Sequence, residues 1–239
     1  LYLFGRNGKR YILKSALPIV EAARQTPILD GIWFKNTIER DVVSFLCSGC
    51  NINLEDKKVL IVSAMDRLGM AEAFQSFGSK IIIGDLMFGL GVPVPIYSIK
   101  RLHTIASIIM PVVCRLPFRM LYPTGEGQSV TVERFTKYYS QADIIAGDFL
   151  YIKRHMPKDM KGKIVVTNSV TQQDVVALKA RGINLLVTST PELDGRSFGT
   201  NVMEAIIVCI AGKSPELIGV EGFRKISNQI GLKHRVEYF

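Results

Sequence analysis

The chain has 239 residues, of which 48% are hydrophobic and 21% are charged, so it can bury a full core and does not resemble a disordered chain. It has no apolar run of the roughly 18 to 20 residues that a membrane span needs, and no basic-then-apolar secretory leader, so we expect a cytoplasmic protein without a membrane partner. The formal net charge is +9, but the basic residues are dispersed in pairs, which argues against nucleic acid as a partner and favours small anionic metabolites.

Four cysteines are too few for a disulfide framework in a chain of this length, and they fit a reducing cytoplasm. Cys47 and Cys50 have the spacing of a metal-binding or redox pair. Because no second Cys or His pair follows at zinc spacing, the sequence predicts no metal site, and Gly49 is expected to end a helix there.

The beginning of the chain is interpreted as the tail of another domain. The chain starts at Leu1, without a methionine and inside an apparent strand, so we expect a fragment whose N-terminal part is missing. We predict that residues 1–50 are the tail of an N-terminal, substrate-type domain with a linker helix. Residues 51–239 are predicted to be a Rossmann-like NAD(P)-binding domain.

Two helices are predicted in this first part. Residues 15–23 have helical spacing, and the apolar residues of 36–46 lie mostly on one helix face. Asn36 or Thr37 is a natural N-cap of the second helix, and Glu39 lies in its first turn. This helix then leads towards the first strand of the second domain.

The most informative stretch is residues 58–85. Residues 59–62 form a continuous apolar run, as expected of a strand buried on both faces of a parallel sheet. An apolar helical stripe follows and is expected to end at Gly78. A second apolar strand then ends at Asp85, where a Rossmann domain places the carboxylate that binds the ribose of NAD. This order predicts the first half of a dinucleotide-binding βαβ unit.

The turn of this unit, residues 63–69, has one glycine where the usual fingerprint has three. Two interpretations are open. In the first, Asp66 caps the helix and Arg67 supplies a cation to the phosphates. In the second, the site has changed its ligand altogether.

After Asp85, residues 89–127 form a long segment rich in proline and glycine that includes an apolar helix from about Ile99, and we expect this segment to be a lid or a substrate wall. Further strands and helices then alternate, which predicts a doubly wound parallel sheet. The strands are predicted at 142–148, 163–168 and 183–188, and the helices at 171–181 and 200–210.

Polar residues at the carboxyl ends of these strands are candidate ligand contacts. Asp148, Asn168 and Thr188 all follow predicted strands, and ligands of open α/β sheets bind at that edge. The loop at residues 195–201 precedes a helix and is a candidate site for a phosphate or carboxylate. Its alternative interpretation is a plain loop with an N-cap. The proposed anion-binding residues are Arg196, Ser197, Thr200 and Asn201.

The block from residue 36 to residue 85 resembles the shikimate and quinate dehydrogenase family at the junction into its NAD(P)-binding domain. Residues 148–149, 188–192 and 195–201 are similar to segments of bacterial proteins labelled quinate 5-dehydrogenase. This resemblance implies an NAD(P)-dependent oxidoreductase that moves a hydride to or from a small hydroxylated carboxylate. Asp85 without a following arginine pair favours NAD as the cofactor, although Lys100 and Arg101 could still approach the extra phosphate of NADP.

In that family the Asn-Thr pair is followed by an aspartate that works with a lysine to move the proton. Here Ile38 stands at the place of the aspartate, so the candidate catalytic residues are Glu39 and Lys35. The βαβ turn and the strand ends supply the candidate cofactor-binding residues: Ser63, Ala64, Asp66, Arg67, Gly69, Asp85 and Thr188. The alternative is a non-catalytic nucleotide- or metabolite-binding protein, a sensor or an accessory subunit. The sequence also leaves open whether the chain forms a homo-oligomer.

Overall fold

The computed structural model of the chain describes residues 2–4, 10–121 and 131–239. These residues form an α/β structure with a mostly parallel six-stranded sheet and alternating helices, an arrangement compatible with a Rossmann-like fold. Within the described ranges, no helix is both long enough and apolar enough to cross a membrane.

The strands have the following bounds: β1 (Tyr2–Phe4), β2 (Arg10–Ile12), β3 (Lys58–Ile61), β4 (Lys80–Ile83), β5 (Ile144–Gly147), β6 (Ile164–Thr167), β7 (Leu185–Thr188), β8 (Glu192–Leu193), β9 (Arg196–Ser197) and β10 (Arg235–Tyr238). The α-helices are α1 (Leu17–Ala22), α2 (Ile32–Asn36), α3 (Ile38–Ser48), α4 (Leu68–Ser76), α5 (Ile99–Val113), α6 (Phe118–Leu121), α7 (Thr136–Gln141), α8 (Phe149–His155), α9 (Gln172–Ala180), α10 (Thr200–Ala211) and α11 (Pro215–Gln229). A 3₁₀ turn (Lys14–Ala16) precedes α1, and a π-helical turn (Asp85–Gly89) follows β4.

The large sheet has the strand order β4-β3-β5-β6-β7-β10. Its strands from β3 to β7 are parallel, and β10 pairs with β7 in the antiparallel sense. The chain goes from β3 outward to β4 and then returns to β5 on the other side of β3. The strand order therefore reverses between β3 and β5, and ligands of open α/β sheets bind outside the carboxyl ends of the strands at such a point.

The outer side of β4 contacts part of the segment rich in proline and glycine. Ile96 forms an isolated antiparallel bridge with Ile83. The amide of Ile83 donates to the carbonyl of Ile96 at 2.7 Å, and the amide of Ile96 donates back at 3.0 Å. The chain thus returns to the edge of the sheet before α5 begins.

Alternate residues of the central strands pack on opposite faces of the sheet. Val59 and Ile61 belong to one buried cluster together with residues of α3, α4 and α5. Leu60 and Val62 belong to a second cluster, which includes residues of α7, α8 and α9. Since both faces of the sheet are covered, all four of these strand residues are apolar and at most 1% exposed.

The secondary structure predicted for the central unit is confirmed. Strands β3 and β4 flank α4, and Gly78 follows this helix with φ +80°, the left-handed conformation that terminates helices. The later predicted strands are β5, β6 and β7, and the later predicted helices are α9 and α10. This local order could be predicted because strand and helix periods differ and glycine interrupts both.

The first part of the chain agrees with the sequence prediction in outline. Thr37 stands at the N-cap of α3, but its side chain makes no capping bond, because its hydroxyl donates to the carbonyl of Trp33 at 2.7 Å. Buried residues of α3 share a cluster with those of β3. The domain boundary near residue 50 and the truncated N-terminal domain remain predictions. Leu1 and the part of the predicted lid at residues 122–127 lie outside the described residues.

Candidate functional site

A cavity of about 460 Å³ opens at the carboxyl edge of the sheet, beside the ends of β3 and β5. This volume lies within the range of small-molecule sites in proteins. Its walls are mainly apolar and come from residues 13–29, from the segment after β4 and from α5. The polar residues that line it are Asp30, Lys35, Ser63, Asp66, Arg67, Asp85, Asp148, Tyr151, Asn168, Thr200 and Asn201.

A buried guanidinium connects the segments beneath this cavity. The side chain of Arg67 is 2% exposed. Its Nη1 donates to Oε2 of Glu39 in α3, and its Nη2 donates to Oδ2 of Asp148 at 2.9 Å. Glu39 is fully buried and also accepts a hydrogen bond from the hydroxyl of Ser189 at 3.1 Å. Buried ions are tolerated when partners of opposite charge and hydrogen bonds compensate their lost hydration, as here.

Asp148 also orders the junction between β5 and α8. Its Oδ1 accepts the amide of Leu150 at 2.9 Å, so Asp148 is the N-cap of α8. Its Oδ2 accepts the side-chain amide of Asn168 at 3.2 Å, and its own amide donates to the hydroxyl of Ser63 at 3.2 Å. The ends of three neighbouring strands are thereby joined by hydrogen bonds.

Gly147 allows the ends of β3 and β5 to approach each other closely. Its φ is +130°, and a Cβ at this position would lie 2.7 Å from Cγ2 of Val62 and 3.2 Å from Oγ of Ser63. A side chain here would be strained by the backbone conformation and would clash with β3. The glycine is therefore needed for the contact between Asp148 and Ser63.

Lys35 and Asp66 form an ion pair on the wall of the cavity. Nζ of Lys35 lies 2.7 Å from Oδ1 of Asp66, and their side chains are 12% and 17% exposed. Burial raises the pKa of Asp66, but the charges of Lys35 and Arg67 outweigh burial and hold this pKa below its usual value.

The first interpretation of the turn is therefore wrong about the helix cap. Asp66 does not cap α4, because the N-cap position is occupied by Arg67 and no side chain makes a capping bond there. The guanidinium of Arg67 lines the cavity and is bonded to Glu39 and Asp148, so its role as a cation for phosphates stays a prediction.

Asp85 binds the backbone of the same turn. Its Oδ2 accepts the amide of Ala64 at 2.9 Å, and its Oδ1 accepts the amide of Met65 at 2.8 Å. Burial raises the pKa of Asp85 to about 6, although the two amide hydrogen bonds act in the opposite direction. A carboxylate of the chain itself thus satisfies the amides that would face a pyrophosphate in a dinucleotide-binding turn.

The remaining predicted residues are divided by the structure into two groups. Thr200 and Asn201 line the cavity, whereas Arg196 is exposed in the β8–β9 hairpin and is absent from the lining. Ser197 is buried, and its hydroxyl lies 3.5 Å from the hydroxyl of Thr188. The Thr188 hydroxyl donates to the carbonyl of Thr190. Gly199 is the N-cap of α10, so Thr200 is already helical.

Gly69 lies in α4 and contacts α2. A Cβ at this position would lie 3.2 Å from Oδ1 of Asn36, so the glycine allows close packing between the two helices. Of the residues predicted to bind cofactor or to act in catalysis, the structure brings five together around one cavity: Lys35, Ser63, Asp66, Arg67 and Asp85.

The segment after β4 and α5, predicted as a lid or substrate wall, lines the cavity. Sequence reasoning missed the N-terminal part of the apolar wall and two polar residues, Asp30 and Tyr151. The periodicity of α5 predicted a helix but could not reveal that its partly buried face borders a cavity. Among the described residues, no group of three or more His, Cys, Asp or Glu side chains is placed to hold a metal ion.

Replacement of Arg67 by methionine tests the buried ion network. It leaves Glu39 and Asp148 as buried carboxylates without their cation, so we expect the free energy of unfolding to fall by about 3–5 kcal/mol in urea denaturation. The matched control is Arg40→Met, since Arg40 pairs with Glu72 at 2.8 Å but is 41% exposed. The control should lose less than about 1 kcal/mol, and equal losses in both variants would contradict the central role of Arg67.

Asp85→Asn tests the raised pKa. The pKa of Asp85 is about 6 in the folded chain and 3.8 in an unperturbed aspartate, so the folded state holds the proton more tightly than the unfolded state. The stability contributed by this proton is lost as pH rises from about 4 to about 6. The quantity to follow is the free energy of unfolding of the wild-type chain minus that of Asp85→Asn, measured by urea denaturation. This difference should fall by up to about 3 kcal/mol between about pH 4 and about pH 6 and then stay constant at higher pH. A difference that is constant or increases with pH would contradict the raised pKa.

Comparison with known proteins places the chain in a family without a known activity. No curated protein and no solved structure matches it. One family model, described as a domain of unknown function, matches residues 33–239. The match includes all but the first residue of α2, the whole of α3, the six-stranded sheet and the polar residues at the ends of its strands. The chain therefore belongs to the DUF8754 family, a domain of unknown function.

Proposed function

We propose that this protein binds a small metabolite in the cavity at the carboxyl edge of the sheet, as a sensor, an accessory subunit or the binding domain of an enzyme. The observation that carries this proposal is the position and composition of the cavity. It lies where the strand order reverses, its walls are mainly apolar, and ionisable groups gather around the ends of β3 and β4. We take the fold to be a Rossmann-like, doubly wound sheet, in which this is the expected ligand position.

Several contacts favour a small metabolite over a dinucleotide. The amides of Ala64 and Met65 already bind Asp85. The cation that would be nearest to the phosphates, Arg67, is bonded to Glu39 and Asp148. A pyrophosphate would have to displace one carboxylate and approach others, at an electrostatic cost.

Two tryptophan substitutions on α5 test whether the cavity binds ligands. Ile109 lines the cavity, whereas its neighbour Ile108 is 71% exposed and does not line it. We expect octan-1-ol, a neutral amphiphile used as a probe, to bind the wild-type chain and Ile108→Trp equally in calorimetric titration. Ile109→Trp should bind octan-1-ol about tenfold more weakly than the wild-type chain does, because the indole fills the site.

The comparison is informative because both variants carry the same substitution on the same helix. Equal binding by Ile109→Trp and Ile108→Trp would place the probe elsewhere and contradict the proposal. Failure of the wild-type chain to bind octan-1-ol would also contradict it.

A second candidate is an NAD(P)-dependent dehydrogenase of the quinate or shikimate type. The observation that favours it is the Lys35–Asp66 pair, with 2.7 Å between Nζ and Oδ1, on the wall of the cavity. A lysine and a carboxylate in contact can move a proton to or from a substrate hydroxyl while the hydride passes to a nicotinamide. In this candidate the substrate is a small hydroxylated carboxylate. Glu39 would act indirectly, since it is buried against Arg67.

Calorimetric titration with NAD, NADH, NADP and NADPH tests the dehydrogenase candidate. The candidate requires micromolar binding of one oxidised and reduced pair, with weaker binding by Asp85→Ala if the carboxylate contacts the ribose. Lys35→Met should then abolish turnover of quinate or shikimate with little effect on cofactor affinity. Failure to bind all four nucleotides would exclude this candidate and leave the metabolite-binding proposal standing.

A further inference from the structure

The charges around the cavity differ from the charge of the whole chain. Although the formal net charge is +9, the lining contains four carboxylates and two cations. The carboxylates are Asp30, Asp66, Asp85 and Asp148, and the cations are Lys35 and Arg67. The local field beside these residues is therefore expected to be negative.

Both cations are already paired with carboxylates of the protein. Lys35 contacts Asp66 at 2.7 Å. Arg67 is bonded to Asp148 and to Glu39, a fifth carboxylate that lies behind the lining. An anionic ligand would therefore meet cations that are already neutralised, together with like charges in a partly buried site, and its binding would be disfavoured.

Asp85 lacks a cationic partner of this kind among its described contacts. Its two carboxylate oxygens accept one backbone amide each, from Ala64 and Met65. A carboxylate has about four lone-pair positions, so at least one remains for another donor even when the amide of Asp85 itself is counted. Because Asp85 lines the cavity, this position is accessible to a ligand that donates hydrogen bonds.

The apolar lining of the cavity is suited to a hydrocarbon group. Leu102, Ile105 and Ile109 contribute the side of α5, and Ile19 and Ile28 contribute the N-terminal segment. A ligand that contacts both this lining and the carboxylates needs an apolar body and a polar end, because unpaired polar groups against these side chains would be costly.

We propose that the ligand of this cavity is a cationic amphiphile, a primary amine with an apolar body, whose ammonium group binds at Asp85. This inference rests on the proposed metabolite-binding function and defines its ligand class. The ammonium group donates three hydrogen bonds and carries the charge that the surrounding carboxylates favour.

Three probes with the same hydrocarbon chain test the inference: octylamine, octan-1-ol and octanoate. Each is titrated calorimetrically into the 239-residue chain at about pH 8, where the amine is protonated and Asp85, with a pKa of about 6, is ionised. We expect octylamine to bind roughly tenfold more tightly than octan-1-ol, and octanoate to bind most weakly.

The outcomes separate the two proposals. Equal affinity for all three probes, or tightest binding of octanoate, would overturn the inference about the amine and leave the metabolite-binding function intact. Absence of binding by all three would overturn both proposals.

Two variants localise the head group. Asp85→Asn keeps the size of the side chain and removes its charge, so octylamine should bind roughly tenfold more weakly while the affinity for octan-1-ol is unchanged. The control is Asp56→Asn, since Asp56 pairs with Lys80 on the surface and is absent from the lining. An equal loss for both probes in Asp85→Asn would indicate a structural effect and count against the proposed contact.

A second variant leaves the hydrogen bonds between Asp85 and the turn amides in place. Asp66→Asn removes the partner carboxylate of Lys35 and one negative charge from the cavity, so the preference for octylamine over octanoate should decrease severalfold. A preference that stays unchanged in both Asp85→Asn and Asp66→Asn would refute the role of these carboxylates.

Discussion

The need to compensate one buried guanidinium fixes the relative positions of the segments around the cavity. Arg67 follows β3, Glu39 comes from α3, and Asp148 begins α8. A buried charge is costly without its partners, so none of these segments can shift alone without exposing or stranding an ion. The position of Asp148 in turn determines that of Ser63 and Asn168. The polar side of the cavity is thus a consequence of the ion network.

Carboxylates of the chain also complete two backbone turns. Asp85 accepts the amides after β3, and Glu204 of α10 accepts the amide of Phe34 at 3.0 Å, near the start of α2. Each carboxylate takes the place that water or an external anion would otherwise occupy at free amides. This explains why the turn after β3 tolerates side chains at Met65 and Asp66. Glycines are required where a phosphate must approach the backbone, and here the acceptor is attached to a neighbouring strand.

The sequence predicted the elements well because their signals are local. The apolar run of β3, the helical stripe of α4 and the terminating Gly78 all lie within one short stretch. It could not predict side-chain partners, since Arg67 meets Glu39 and Asp148 across 28 and 81 positions of the chain. The sequence placed Asp85 correctly at the end of a strand, but it could not show that this carboxylate accepts the amides of the neighbouring turn. The charge of the whole chain likewise gave no guide to the sign of the charge around the cavity.

The bridge between Ile83 and Ile96 also affects how the protein behaves in a crowded solution. β4 is the terminal parallel strand of the sheet, and an open strand edge offers amides and carbonyls to a neighbouring molecule. Here Ile96 takes both backbone hydrogen-bonding groups of Ile83. Pro93 and Pro95, which both precede Ile96, have no N–H to offer to a neighbouring strand. At Ile83 the edge is therefore already occupied, which opposes growth of the sheet from one molecule into the next at this position. The segment that borders the cavity thus also covers part of the edge of β4.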